Sequence, residues 1–139
     1  MKAAVVGLVT AVTLACAVPA LAHHSFAGFD RTKEVTLRGA VREFQWSNPH
    51  AWIQIVVVDE KGRQTEWSVE CGSPNMMART GWKRTTLKAG DTVVAVVNPL
   101  KDGRPNGALV KITLPDGSVL GPGDAPPPRP LGSAARSKS

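Results

Sequence analysis

The sequence predicts an all-β fold with one short helix, and three observations carry that prediction. Val35, Leu37, Gly39 and Val41 alternate with Thr36, Arg38, Ala40 and Arg42, and Thr65, Trp67, Val69 and Cys71 alternate with Glu66, Ser68 and Glu70. This is the two-residue period of strands with one buried face. Ile53 to Val58 is an almost unbroken β-branched apolar run, which fits a central strand. Helix-start chemistry is clearest at Ser73-Pro74, an N-cap followed by proline at the first helical position.

Residues 1–22 read as a secretory signal. Lys2 supplies the positive start, Ala3 to Ala15 an apolar run too short to cross a bilayer, and Ala20-Leu21-Ala22 a small-x-small cleavage site. Removing 22 of 139 residues leaves 117, beginning at His23, and the loss of Lys2 lowers the net charge from +6 to +5. A lipoprotein signal at Thr13-Leu14-Ala15-Cys16 is the rival, though threonine replaces the usual branched apolar residue. Cys16 leaves with the signal, so Cys71 has no internal disulfide partner and stability rests on one modest core. No second apolar run is long enough to span a membrane, which predicts a soluble product in the periplasm or outside the cell.

Residues 23–33, beginning His23-His24-Ser25-Phe26, form an amino-terminal arm that two phenylalanines should dock on the body. The first strand runs from Glu34 to about Trp46, and its alternation slips near Glu43-Phe44, predicting a bulge or bend. Trp46-Ser47-Asn48-Pro49-His50-Ala51-Trp52 makes a polar corner, and the second strand follows from His50 to about Val58. Asp59 to Arg63 is a hairpin turn into the third strand, and the helix should span about Pro74 to Thr80, ended by Gly81. Leu87 to Asp91 turns the chain into a fourth strand, Thr92 to Val97, and Asn98 to Gly107 is a loop. A fifth strand should point Ala108, Val110, Ile112 and Leu114 inward. Three strands, a helix and two strands fit a small five-stranded OB-like barrel over residues 34–120, with an open sheet on one helix as the alternative. From Gly121 to Ser139, proline, glycine and serine leave almost nothing to bury, so this tail is expected to be disordered.

With His23-His24-Ser25-Phe26, Gln45 to Trp52, Gly72-Ser73-Pro74-Asn75-Met76 and Leu87 to Asp91 all present in order, the chain resembles a family of small exported bacterial proteins of unknown function. The resemblance spans most of residues 23–120. It implies export and a small barrel-like domain, and it brings no activity, catalytic residue or cofactor.

On an OB barrel the first and fourth connections lie near the usual ligand face, which would gather His50, Asn48, Asn98, Lys101 and Arg104 on one side. Asn-Pro pairs and glycines in these loops are equally ordinary turn chemistry. Trp67 belongs to the core by its alternation, while Trp46 and Trp52 flank the corner as core, lid or ligand platform.

A chain starting at His23 offers an α-amine and an imidazole on one residue, a nitrogen chelate suited to Cu(II), to which His24 or His50 could add a nitrogen. Histidine second rather than third departs from the familiar amino-terminal copper motif. The arm from His23 to Glu34 spans at most ~36 Å, so contact with His50 requires the first strand to curl. Cys71, Met76 and Met77 form a possible Cu(I) group, but a buried thiol and core methionines explain them more simply.

Positive charge and an OB-like fold raise nucleic acid as a partner. The basic residues are spread along the chain, with Arg129, Arg136 and Lys138 in the tail, and an export signal separates the protein from cytoplasmic nucleic acid, so that partner is rejected. No serine or cysteine nucleophile sits in a recognisable setting, and there is no phosphate loop or zinc motif, so no catalytic residue is assigned. The sequence therefore reads as an exported binding module without catalysis, a copper-binding accessory protein with metal ligands among His23, His24 and His50. A copper-dependent redox enzyme built on the amino terminus is one alternative. A metal-free module that takes a small ligand, a protein or an envelope polymer through Trp46, Asn48, Trp52, Asn98, Lys101 and Arg104 is the other.

Overall fold

A computed structural model describes residues 26–123. Ahead of the sheet lies a 3-10 turn, Phe26–Gly28, and the strands are β1 (Val35–Gln45), β2 (Trp52–Val58), β3 (Gln64–Glu70), β4 (Thr92–Pro99), β5 (Asn106–Thr113) and β6 (Val119–Leu120), with helix α1 (Pro74–Arg79) between β3 and β4. The sheet runs β3-β2-β1-β4-β5-β6 and closes where β5 pairs in parallel with β3, Ser68 to Asn106, Val69 to Gly107 and Glu70 to Ala108. The first five strands thus form a closed barrel with the connectivity of an OB fold, as the sequence predicts.

Closure requires β1 to serve two partners. Its first half pairs with β4, Val35 to Val97 through Ala40 to Thr92, and its second half with β2, Gly39 to Val57 through Gln45 to Trp52. At Gly39 the chain belongs to both ladders, and a Cβ there would lie 2.3 Å from the Val56 carbonyl oxygen, so only glycine permits the approach. The predicted slip sits between Val41 and Glu43, where Arg42 is the extra residue of a bulge. Its guanidinium turns outward and donates to Glu66 of β3.

The barrel interior is filled by Leu37, Val41, Ile53, Ile55, Val69, Val93, Ala95, Val97 and Ile112. Met77 of α1, Trp82 and Leu87 complete the same buried cluster from the segment between β3 and β4. Ser73 caps α1 by accepting the Met76 N–H at its hydroxyl, and Gly81 follows the helix with φ +99°, as the sequence indicates.

Four features correct the sequence reading. On β5 the inward residues are Gly107, Leu109 and Ile112, because the register passes from Val96–Lys111 to Val97–Leu109 and leaves Val110 as the extra residue of a bulge. Ala108 and Val110 therefore lie only half-buried. A two-residue strand, β6, adds to β5 through Ile112–Leu120 and Thr113–Val119, beyond the five strands anticipated. Trp67 faces inward but is only partly buried, since the first half of β3 overhangs the barrel and its Gln64, Thr65 and Glu66 are exposed. Barrel contacts also continue past Leu120. The Gly72 N–H donates to the Pro122 carbonyl at 2.8 Å, the Trp82 indole N–H donates to the Gly121 carbonyl at 2.9 Å, and Gly123 is buried against Met77. The boundary set at Leu120 thus moves to Gly123; residues 124–139 of the expected tail lie outside the described residues.

Two stability measurements follow from these contacts. Gly39→Ala should destabilise by about 1–3 kcal/mol in urea unfolding, through backbone displacement at the crossing of the two ladders. Truncation after Leu120 should lower the thermal midpoint by several degrees, because the buried Trp82 N–H loses its acceptor at a cost of about 1–3 kcal/mol, whereas a chain ending at Gly123 keeps the full-length midpoint.

Candidate functional site

The corner between β1 and β2 holds the histidine of the barrel against a buried carboxylate. The Ala51 N–H donates to the Gly72 carbonyl at 3.0 Å and the Cys71 N–H donates to the Ala51 carbonyl at 2.9 Å, which ties the corner to the chain just past β3. The Asn48-Pro49 bond is cis, and the Ser47 hydroxyl donates to the His50 carbonyl at 3.1 Å. His50 is thereby laid over Glu70, with its Nδ1 at 2.5 Å from Oε1.

Glu70 is unusual for its place. Its neighbour Val69 points into the barrel, so strand alternation sends Glu70 to the outer face, yet it is only 3 % exposed. The His50 side chain retains 23 % of its accessible surface. A carboxylate taken from water needs a charged or hydrogen-bonding partner, and the imidazole supplies one. With Nδ1–H donating to the carboxylate, the neutral ring carries its lone pair on Nε2, the tautomer that serves as a metal ligand or proton acceptor. Sequence alternation alone assigns Glu70 to solvent, and so it misses this partner.

The sheet register extends the site. Trp52, Glu70, Ala108 and Asn98 are consecutive partners across β2, β3, β5 and β4, and lie in one row on the outer face. Asn98 is thus two strands from Glu70, about 10 Å along the sheet. Its amide donates to the Lys33 carbonyl at 2.8 Å and fixes the root of the arm at that row. Further back the arm is held by Asp30 N–H on the Pro99 carbonyl and by the Lys101 N–H on the Gly28 carbonyl, and Phe29 is buried beside Leu100.

The remaining candidates divide. Lys101 Nζ donates to the Ala27 carbonyl at 3.1 Å, and Arg104 Nε to Asp102 at 2.8 Å, so both secure the arm and loop. Asn48 is exposed at the tip of the corner, and Trp46 packs its ring edge-on to Phe44 with centroids 5.7 Å apart, toward the core rather than the outer row. Trp52 and Asn98 alone of the loop candidates share the row with Glu70. Of the sulfur residues, Cys71 and Met77 are buried while Met76 is 40 % exposed, so the expected core role fails for Met76 and the three do not share one environment. His23 and His24 lie outside the described residues. Among the described residues no group of three or more His, Cys, Asp or Glu is arranged to hold a metal ion.

Two carboxylates stiffen the flanks of this region. The Thr32 hydroxyl and backbone N–H, with Lys33 beside them, hold the Asp30 carboxyl below its usual range. The backbone and side chain of Arg104 do the same for Asp102. Both groups are lowered in the folded chain, so their contribution is complete above the unfolded carboxylate value and is lost as pH falls through the lower folded values.

A family model described as a family of unknown function (DUF6152) matches residues 11–109. No curated protein and no solved structure matches the chain.

Removal of the buried carboxylate tests the corner. Glu70→Ala should lower stability by about 1–3 kcal/mol in urea unfolding, with Glu70→Gln, which keeps an acceptor for His50, losing less. Carbon-detected NMR titration should give Asp30 and Asp102 midpoints below that of an aspartate in an unstructured peptide.

Proposed function

The chain belongs to the family of unknown function whose model it matches, and we propose that it is an exported binding module without catalysis of its own, whose ligand is a Cu(II) ion. In this reading the metal is held by the α-amine and imidazole of His23, exposed by cleavage after Ala22, and by Nε2 of His50, with His24 adjacent. The observation that carries the reading is the 2.5 Å contact of His50 Nδ1 with buried Glu70. A carboxylate on the far ring nitrogen fixes the orientation of a histidine ligand and raises its basicity, the usual arrangement behind metal-bound imidazoles.

Tether length sets a condition on the same assignment. The arm is fixed to the barrel at Lys33 by Asn98, at Asp30 by Pro99 and at Ala27 by Lys101. The four residues from Ala27 back to His23 can span at most ~14 Å, so a shared site requires that short stretch to run back along the outer row toward Glu70. The curl of β1 that a shared site requires is present at Gly39 and at the Arg42 bulge. Two nitrogens from His23 and one from His50 make a set that favours Cu(II) over the other common divalent ions.

The test compares the protein starting at His23 with a form carrying one extra residue before it, with His50→Ala and with Glu70→Gln. Copper affinity and the electron paramagnetic resonance spectrum are measured for each. The extension and His50→Ala should each weaken binding and alter the spectrum, Glu70→Gln should cost about 10-fold or more, and affinity should fall as pH drops because the amine must lose its proton. Equal affinity and an identical spectrum in the extended form would remove the amino terminus from the site. An effect of the extension with none from His50→Ala would confine copper to the arm, and the barrel would have no part in holding it.

A further inference from the structure

A second surface, independent of the copper reading, lies on the segment that joins β3 to β4. Between Glu70 and Asp91 the chain carries Arg79, Lys83, Arg84 and Lys88 and no carboxylate. The segment is compact. Thr80 and Trp82 N–H groups donate to the Met77 carbonyl, Lys83 N–H donates to the Thr86 hydroxyl, and Thr86 N–H returns to the Lys83 carbonyl. Met77, Trp82 and Leu87 are the buried anchors, and Arg79, Lys83 and Arg84 between them are exposed. Four basic side chains therefore project from a short helix and the two turns that follow it.

Elsewhere on the barrel, positive charge is often matched at close range. Lys33 pairs with Asp30, Arg42 with Glu66, Arg63 with Asp59 and Arg104 with Asp102. On the segment after β3 only Lys88 has a carboxylate near, Asp91 at 3.9 Å, and Arg79, Lys83 and Arg84 have no ion pair among the described residues. Part of the net charge of +6 is thus concentrated at one place. Met76, 40 % exposed and one helical turn before Arg79, adds an apolar side chain to that face. The last described residue, Gly123, packs on Met77 of the same helix.

We propose that this face docks on an anionic lipid surface, with Arg79, Lys83, Arg84 and Lys88 at the phosphate level and Met76 directed between headgroups. A sheet of lipid phosphates complements several basic groups at once, and each Lys or Arg near such a surface strengthens binding about fivefold. An exposed apolar side chain among the basic groups favours lipid over a fully hydrated polyanion.

Vesicle sedimentation with the protein as recovered from expressing cells tests the assignment. Vesicles of phosphatidylcholine containing about one third phosphatidylglycerol should bind it, pure phosphatidylcholine should not, and added salt should weaken the interaction. Arg79→Ser/Lys83→Ser/Arg84→Ser should lose roughly 100-fold. An equal-charge control, Arg38→Ser/Lys61→Ser/Lys111→Ser, should lose far less. Circular dichroism and the thermal midpoint of both triple variants should match the parent, because all six side chains are exposed. Equal loss in the two variants would mean that lipid senses net charge and not this face, and equal binding to neutral vesicles would remove the electrostatic basis. Displacement from vesicles by a DNA duplex or by polyglutamate at matched charge would assign the face to a soluble polyanion. Each of these three results overturns the proposal.

Discussion

Closure of the sheet between β3 and β5 is the constraint on which the rest of the molecule depends. Three parallel partners hold it, and at the middle one a Cβ on Gly107 would fall 2.6 Å from the Val97 side chain. Glycine there lets β5 lie close enough to serve β3 and β4 together. Without that seam the sheet would have two unpaired edges, and β2 would lose the curved neighbours that enclose Ile53 and Ile55. The seam ends at Glu70, so the residue that completes the barrel is also the one that receives His50.

A buried carboxylate at the end of a seam has a structural cost and a geometric consequence. Ordinary strand chemistry would place an apolar or solvated residue at an outward position beside Trp52 and Ala108. Here the corner folds His50 back over the position, and the imidazole lies against the carboxylate that has been taken from water. The geometry fixes one imidazole nitrogen and orients the other.

The residues differ in how far they announce these roles. Alternation from Val35 to Val41 and from Thr65 to Cys71, the apolar run at Ile53 to Val58 and the Ser73-Pro74 cap were legible because each depends on local periodicity or local hydrogen bonding. The bend near Glu43 was legible because the pattern itself breaks there. Val110 was not, since Ala108, Val110, Ile112 and Leu114 keep a clean alternation that the bulge opposite Val96 and Val97 overrides. Glu70 and the Gly121–Gly123 contacts were equally hidden. Their burial comes from partners far along the chain, and no local pattern in a carboxylate or in a Gly-Pro-Gly run encodes it. On the candidate site, His50 and Trp52 could be singled out as corner residues, while the basic face after β3 needed the pairing of charges elsewhere to become visible.

The contacts of Gly121 and Pro122 also bear on the timing of folding. They join the last part of the barrel to Gly72 and Trp82, roughly 40–50 residues earlier, and the β3–β5 seam likewise waits for Asn106 to Ala108. A chain synthesised from its amino terminus has its first three strands available long before it can close them or seat the Trp82 indole. Until those late residues arrive, the chain has no complete barrel to form, and the apolar faces of its first three strands wait uncovered.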